Sequence, residues 1–265
     1  MTKLHLIDSI NLPGRLLMGN LIRKSILTAF KYNFLHSPDI LNVKISWEKR
    51  SIDKYSHFED VESWKEKANF LFSKLDVDCD INVEHEVIDK KFVWDKKIEY
   101  ITFFDIPAVD IFRNNLKQKK GKVCFWMFDM DAISFKYGKP ESEFQRVAKI
   151  NTYSQDQWYQ ILDYLKSRFD VVELDYRTPI REVYYHLSTC EFVFSYAGMY
   201  HNIATVLNKP IISILNTKYY PEGYLQNRNP YELLCLPNFN DLLNDKYFDS
   251  LIQEAKSLRR LKNVH

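Results

Sequence analysis

Residues 187–215 read LSTCEFVFSYAGMYHNIATVLNKPIISIL, and no other stretch restricts the fold so much. Residues 191–195, Glu-Phe-Val-Phe-Ser, are too apolar to leave a face in water, so they predict a strand buried on both sides. Tyr196-Ala197-Gly198 breaks that run, residues 199–207 carry a helical period, and residues 210–215 turn apolar again. Strand, turn, helix and strand in that order make a βαβ unit, which requires a parallel sheet with helices laid across it. Glycine is scarce, at six residues in 265. A glycine at 198 therefore marks a place where the backbone takes φ > 0 or approaches a ligand closely.

The alternation continues on both sides. Residues 123–128 and 171–174 predict strands, 155–168 and 180–188 helices, and 241–261 a mostly helical end. In the first half, residues 4–7, 42–47, 81–87 and 98–104 predict strands, and 16–34 and 61–75 helices. The polar, basic run NNLKQKKGK at 114–122 precedes a strongly apolar strand and reads as a domain entry. The expected fold class is α/β with parallel sheets. The expected domains are 1–116 and 123–265, joined by a linker at 117–122, with the last helix reaching back onto the first domain.

Composition narrows the function classes. Lys+Arg 37 against Asp+Glu 35 gives a net charge of +2, so bulk electrostatics do not announce a nucleic-acid or membrane binder. The four cysteines, Cys79, Cys124, Cys190 and Cys235, form no C-x-x-C pair, which argues against a zinc knuckle and for reduced thiols in the cytoplasm. No apolar run approaches membrane-spanning length, and the N-terminus lacks the pattern of a signal peptide. His5, His36, His57, His85, His186 and His265 are scattered without ligand spacing. No metal site is expected. The lysine pairs at 90–91 and 96–97, around Phe92 and Trp94, read as solvated positions flanking a hairpin.

In an open α/β sheet, ligands bind beyond the carboxyl ends of the strands. Free N–H groups at the start of the following helix favour a phosphate there. Ser195 is placed to cap the turn, Gly198 to admit a ligand to the backbone, and His201 and Asn202 lie in the first helical turn. The bland reading of the same residues is a tight βα turn with a helix-surface histidine.

Gly198-Met199-Tyr200-His201-Asn202-Ile203-Ala204 followed by Lys209-Pro210-Ile211-Ile212-Ser213-Ile214 resembles the donor-binding half of GT-B glycosyltransferases, most of all the heptosyltransferase-type family of bacterial polysaccharide assembly. Arg146-Val147-Ala148-Lys149-Ile150-Asn151-Thr152-Tyr153 resembles that family's basic segment before a helix. The likeness spans roughly residues 120–216. It implies two Rossmann-like domains with a cleft between them, a nucleotide-sugar co-substrate held by the second domain, and no cofactor. Donor-binding residues would be Arg146, Lys149, Ser195, Ala197, Gly198, Met199, His201 and Asn202.

Leu12-Pro13-Gly14-Arg15 resembles the family's first glycine-rich loop, where an acidic residue serves as general base. Here Arg15 occupies that position, and Asp8 is the nearest carboxylate that could replace it. Gly14, Arg15, Asp129 and Asp131 are expected at the acceptor side of the cleft. The acceptor implied is a glycan or lipid-linked saccharide, with a hydroxylated base of viral DNA as the second choice. Arg15 also suits a non-catalytic nucleotide- or sugar-binding protein. Phe128-Asp129-Met130-Asp131 raises two further readings, a haloacid-dehalogenase-type phosphatase with Asp129 as nucleophile and a metal-binding D-x-D of a GT-A enzyme. Ala132-Ile133 stands where the phosphatase pattern needs Gly-Thr.

Overall fold

The structure, a computed structural model, describes residues 3–8, 22, 26–48, 61–88, 111–127, 153–175, 177–196, 200–215 and 232–258. The chain divides into two compact units, Met1–Asn114 and Asn115–His265.

In the first unit, β1 (Lys3–Asp8), β2 (Ile40–Glu48) and β3 (Asp80–Ile88) form a parallel sheet in the order β1-β2-β3. Leu41, Val43 and Ile45 alternate along β2 and are buried, as period two demands of a strand with one apolar face. Helix α1 (Leu27–His36) contributes buried Leu27, Ala29 and Phe30, and α2 (Val61–Phe72) contributes Trp64, Ala68 and Leu71. The other face of β2 and β3 is polar. There Lys44 pairs with Glu86 at 2.6 Å, Ser46 donates to Glu86, and Asn82 donates to Asn42. That face departs from the continuous apolar strands of a sheet covered on both sides. The early part of the helix expected at 16–34, and the strand expected at 98–104, lie outside the described residues.

The second unit carries a five-stranded parallel sheet in the order β5-β4-β6-β7-β8. Its strands are β4 (Lys122–Trp126), β5 (Asp170–Glu173), β6 (Phe192–Tyr196), β7 (Ile211–Ile214) and β8 (Glu232–Cys235). The last was not anticipated from the sequence. Helix α3 (Gln155–Arg168) begins with a capping box in which Ser154 and Gln157 each bond the other's backbone N–H; this reciprocal arrangement satisfies two otherwise orphaned donors.

The expected C-terminal helix is two helices, α6 (Phe239–Leu242) and α7 (Asp245–Ser257), with the Asn244 side chain capping the second. Trp158, Ile161, Leu162 and Leu165 of α3 and Phe248, Leu251, Ile252 and Ala255 of α7 pack with Val123, Phe125, Phe192, Phe194, Ile212 and Leu233 of the strands. The buried face of the last helix belongs to this core. Helices α4 (Ile180–Thr189) and α5 (Tyr200–Val206) contact β4 and β7. The sheet is thus doubly wound, with β4 leading to β5 on one side and the later strands added on the other.

The basic run before β4 is fastened to this unit along its second half. Lys119 N–H donates to Thr189 O, and Gly121, at φ 75°, donates its N–H to Glu191 Oε2 at 2.6 Å. Lys122 was read as linker but is the buried first residue of β4, its ammonium donating to Thr189 Oγ1 at 2.7 Å and to His186 Nδ1 at 3.1 Å. Burial and the facing Lys122 ammonium both hold the His186 pKa below the usual imidazole value.

Lys209, also buried, donates to Ser188 O at 2.7 Å and Cys190 O at 3.1 Å. A cation on the last carbonyls of α4 complements the helix dipole. Lys209→Met keeps the apolar stem and removes both bonds. Its expected cost is about 2–4 kcal/mol at roughly 1.5–3 per charge-assisted bond, partly offset by relief of burying a charge. Urea titration followed by circular dichroism measures it; a change under 0.5 kcal/mol would show that the cap is idle. All four cysteines are free thiols, with Cys124 and Cys190 buried.

Candidate functional site

Strand order reverses between β4 and β6, because the chain leaves β4 toward β5 on one side and returns to β6 on the other. At such a reversal the two crossovers part and leave a crevice beyond the carboxyl ends. Here those ends are Trp126 and Tyr196, with Asp175 following β5 and Tyr200 opening α5. Tyr200 hydroxyl donates to Asp175 O at 2.6 Å, and the Trp126 ring meets Tyr200 edge-on at 4.8 Å. Asp175 itself is fixed by an Asx turn, its carboxylate accepting from the N–H groups of Arg177 and Thr178.

Beneath this rim lies a polar cluster that period-two alternation creates. Phe194, Ile212 and Leu233 face the α3/α7 core, so their neighbours Ser195, Ser213 and Glu232 face the α4/α5 side. Helix α5 sets His201 among them. Ser195 Oγ lies 2.6 Å from His201 Nε2, and Glu232 Oε1 lies 2.6 Å from His201 Nδ1. Ser213 donates to Glu232 Oε1 and stands 3.3–3.4 Å from the ring nitrogens.

Ser195, His201 and Glu232 are 0%, 5% and 8% exposed, and the Trp126 ring covers His201 with centroids 5.1 Å apart. With so little water present, polar groups must satisfy one another. An ionised carboxylate has no proton to give, so His201 carries one on Nδ1 and donates it to Glu232. In the neutral form of the ring, Nε2 then accepts the Ser195 hydroxyl proton. Acid, imidazole and hydroxyl are thus linked in series, the order in which a carboxylate orients a histidine and the histidine polarises an oxygen.

Of the residues singled out in the sequence, Ser195, His201 and Asn202 come together around the end of β6 and the start of α5. His201 is not a helix-surface residue: its ring points into the sheet. Asp8 is the last residue of β1. Gly14, Arg15, Asp129, Asp131, Arg146, Lys149, Ala197, Gly198 and Met199 lie outside the described residues. Glu232 and Ser213 were missed. Ser213 stands in the Lys-Pro-strand segment already recognised, but nothing local in Tyr231-Glu232-Leu233-Leu234 marks a strand beside β7.

Among the described residues no group of three His, Cys, Asp or Glu side chains is placed to hold a metal ion, and no helix is long and apolar enough to cross a membrane. No family model matches the chain, and no curated protein matches it. Among solved structures, the chain is similar to E. coli heptosyltransferase WaaC with ADP, at 10% identity and a TM-score of 0.37, over 98% of this chain and 99% of that one.

Proposed function

We propose that this chain is a glycosyltransferase that takes a sugar from a nucleotide-sugar donor held at the carboxyl ends of β4 and β6. One observation carries the reading. The segment with the family-like sequence, from β6 through α5 to β7, lies beside a strand-order reversal, where open α/β sheets take nucleotides.

When the sugar departs, negative charge builds on the diphosphate, and transfer needs cations and N–H donors aimed at it. Arg146 and Lys149 are the proposed cations, and the backbone N–H groups of Ala197, Gly198 and Met199 are the proposed donors. Asp8, at the end of β1, is the proposed base for the acceptor hydroxyl, with Gly14, Arg15, Asp129 and Asp131 on the acceptor side. The acceptor is a saccharide, free or lipid-linked, and a hydroxylated DNA base is the second choice. Arg15 in place of an acidic residue favours a second reading, a nucleotide- or sugar-binding protein without transfer.

A thermal-shift screen against nucleoside diphosphates and their sugar conjugates tests the donor site. At a hundredfold excess over Kd, binding adds about 2.7 kcal/mol, roughly 5–10 °C for a unit of this size. In folded Gly198→Val the shift is expected to vanish, because a β-branched side chain fills the phosphate approach. An unchanged shift in that variant would move the site elsewhere.

Donor hydrolysis with and without EDTA separates the transferase from the phosphatase reading. The transferase is expected to work in EDTA and to fail when Arg146 and Lys149 are both alanine. A phosphatase would instead need Mg²⁺ and Asp129, and Asp129→Asn would abolish its turnover.

A further inference from the structure

We infer that Glu232 is a positioning residue for the nucleotide site, acting through His201 on the Ser195 hydroxyl at the end of β6. The inference rests on the donor-site reading above and adds to it a residue that comes from a different strand and a different part of the sequence.

Three observations support it. Glu232 meets His201 Nδ1 at 2.6 Å and His201 Nε2 meets Ser195 Oγ at 2.6 Å, so the carboxylate is joined to the end of β6 through the imidazole. Both ring nitrogens of His201 are engaged, Nδ1 by Glu232 and Nε2 by Ser195. A histidine tautomer is set by the partner that can only donate or only accept, and a carboxylate only accepts. Ser195, finally, is the penultimate residue of β6, so the hydroxyl held by His201 anchors the carboxyl end of that strand.

The other groups around the ring do not compete for this role. Trp126 of β4 offers the ring an aromatic face, and Ser213 of β7 gives its hydroxyl proton to Glu232. With the carboxylate present Nδ1–H is enforced, and a neutral ring then takes the Ser195 hydroxyl proton on Nε2. With an amide at 232 the acceptor is no longer compulsory. His201 can then move its proton to Nε2, which reverses the Ser195 hydrogen bond and loosens the strand end.

The test uses the full chain, with ADP and UDP as probes and Glu232→Gln as the principal variant. In wild type, long-range ¹H–¹⁵N spectra of the imidazole are expected to show His201 protonated on Nδ1. In folded Glu232→Gln, the Nε2–H form is expected to appear and affinity for the better probe to fall about tenfold, the difference between a charge-assisted and a neutral hydrogen bond. Glu232→Asp, one methylene shorter, is expected not to restore affinity.

A purely structural role would lower the melting temperature of Glu232→Gln and leave both the tautomer and the affinity of the folded protein unchanged; that result overturns the inference. Should Glu232→Gln fail to fold, His201→Gln supplies the second arm, with the same tenfold loss expected and unchanged affinity again overturning the role. Binding of neither probe by wild type would overturn the donor-site reading and this role with it. Binding by wild type with unchanged variants overturns the role alone.

Discussion

Trp158→Ala is expected to destabilise the second unit by about 3–5 kcal/mol, the range for truncating a fully buried large aromatic. Trp158 is fully buried on α3, its ring 6.1 Å from Phe125 and 5.9 Å from Tyr153. Those neighbours belong to β4 and to the residue just before the helix cap. The indole therefore fixes the tilt of α3 on the strand whose carboxyl end borders the crevice.

Collapse around a missing indole is resisted from two sides. Phe125 is stacked on Phe194 at 6.2 Å, and Phe194 meets Phe248 of α7 at 5.5 Å. The ring cluster cannot move into the void without giving up these contacts. In urea the midpoint is expected to fall with little change in slope, followed by circular dichroism because the variant lacks one of the five tryptophans. Ser154→Ala, which removes only half of the capping box, is expected to cost about 1 kcal/mol. A loss for Trp158→Ala no greater than for Ser154→Ala would mean that α3 is held by its ends rather than by its buried face.

The sequence was most legible where one physical pattern dominated. Phe192-Val193-Phe194 has no solvated face to offer, so a strand inside a parallel sheet was the only economical reading. The amphipathic pattern of residues 155–168 marked a helix, and the structure places it at Gln155–Arg168. Patterns that depend on long-range pairing were not legible. Nothing in residues 232–235 says that β8 pairs with β7, since four half-apolar residues suit a loop as well as an edge strand. With β8 unseen, Glu232 could not be brought to His201, and nothing in the sequence marked the imidazole as buried against the sheet. The linker was misjudged at its last residue for a related reason. Lys122 looks like one more solvated lysine until Thr189 and His186, some sixty residues later, supply its partners.

The same dependence on distant partners makes the His201–Glu232 contact separable by mutation. His201→Leu is expected to cost about 3–5 kcal/mol, because it takes the imidazole away from a buried carboxylate. Glu232→Leu is expected to destabilise as well, because Nδ1–H exchanges a carboxylate for the Ser213 hydroxyl 3.4 Å away. Replacing both by leucine removes the carboxylate and the imidazole together, leaving the smaller Ser195 and Ser213 hydroxyls to re-pair, and buried polar pairs replaced by apolar residues are often tolerated. The double variant is therefore expected to be no less stable than either single variant, a coupling of roughly 3 kcal/mol at the upper end for residues in contact. Urea titrations of the four proteins give the cycle directly. Additivity within about 0.5 kcal/mol would mean that the two side chains are stabilised independently and that no relay joins β8 to the end of β6. Strong coupling together with lost nucleotide affinity in the stable double leucine variant would separate the two roles of the pair, since its apolar replacement restores the fold without restoring the hydrogen bond that Ser195 makes to Nε2.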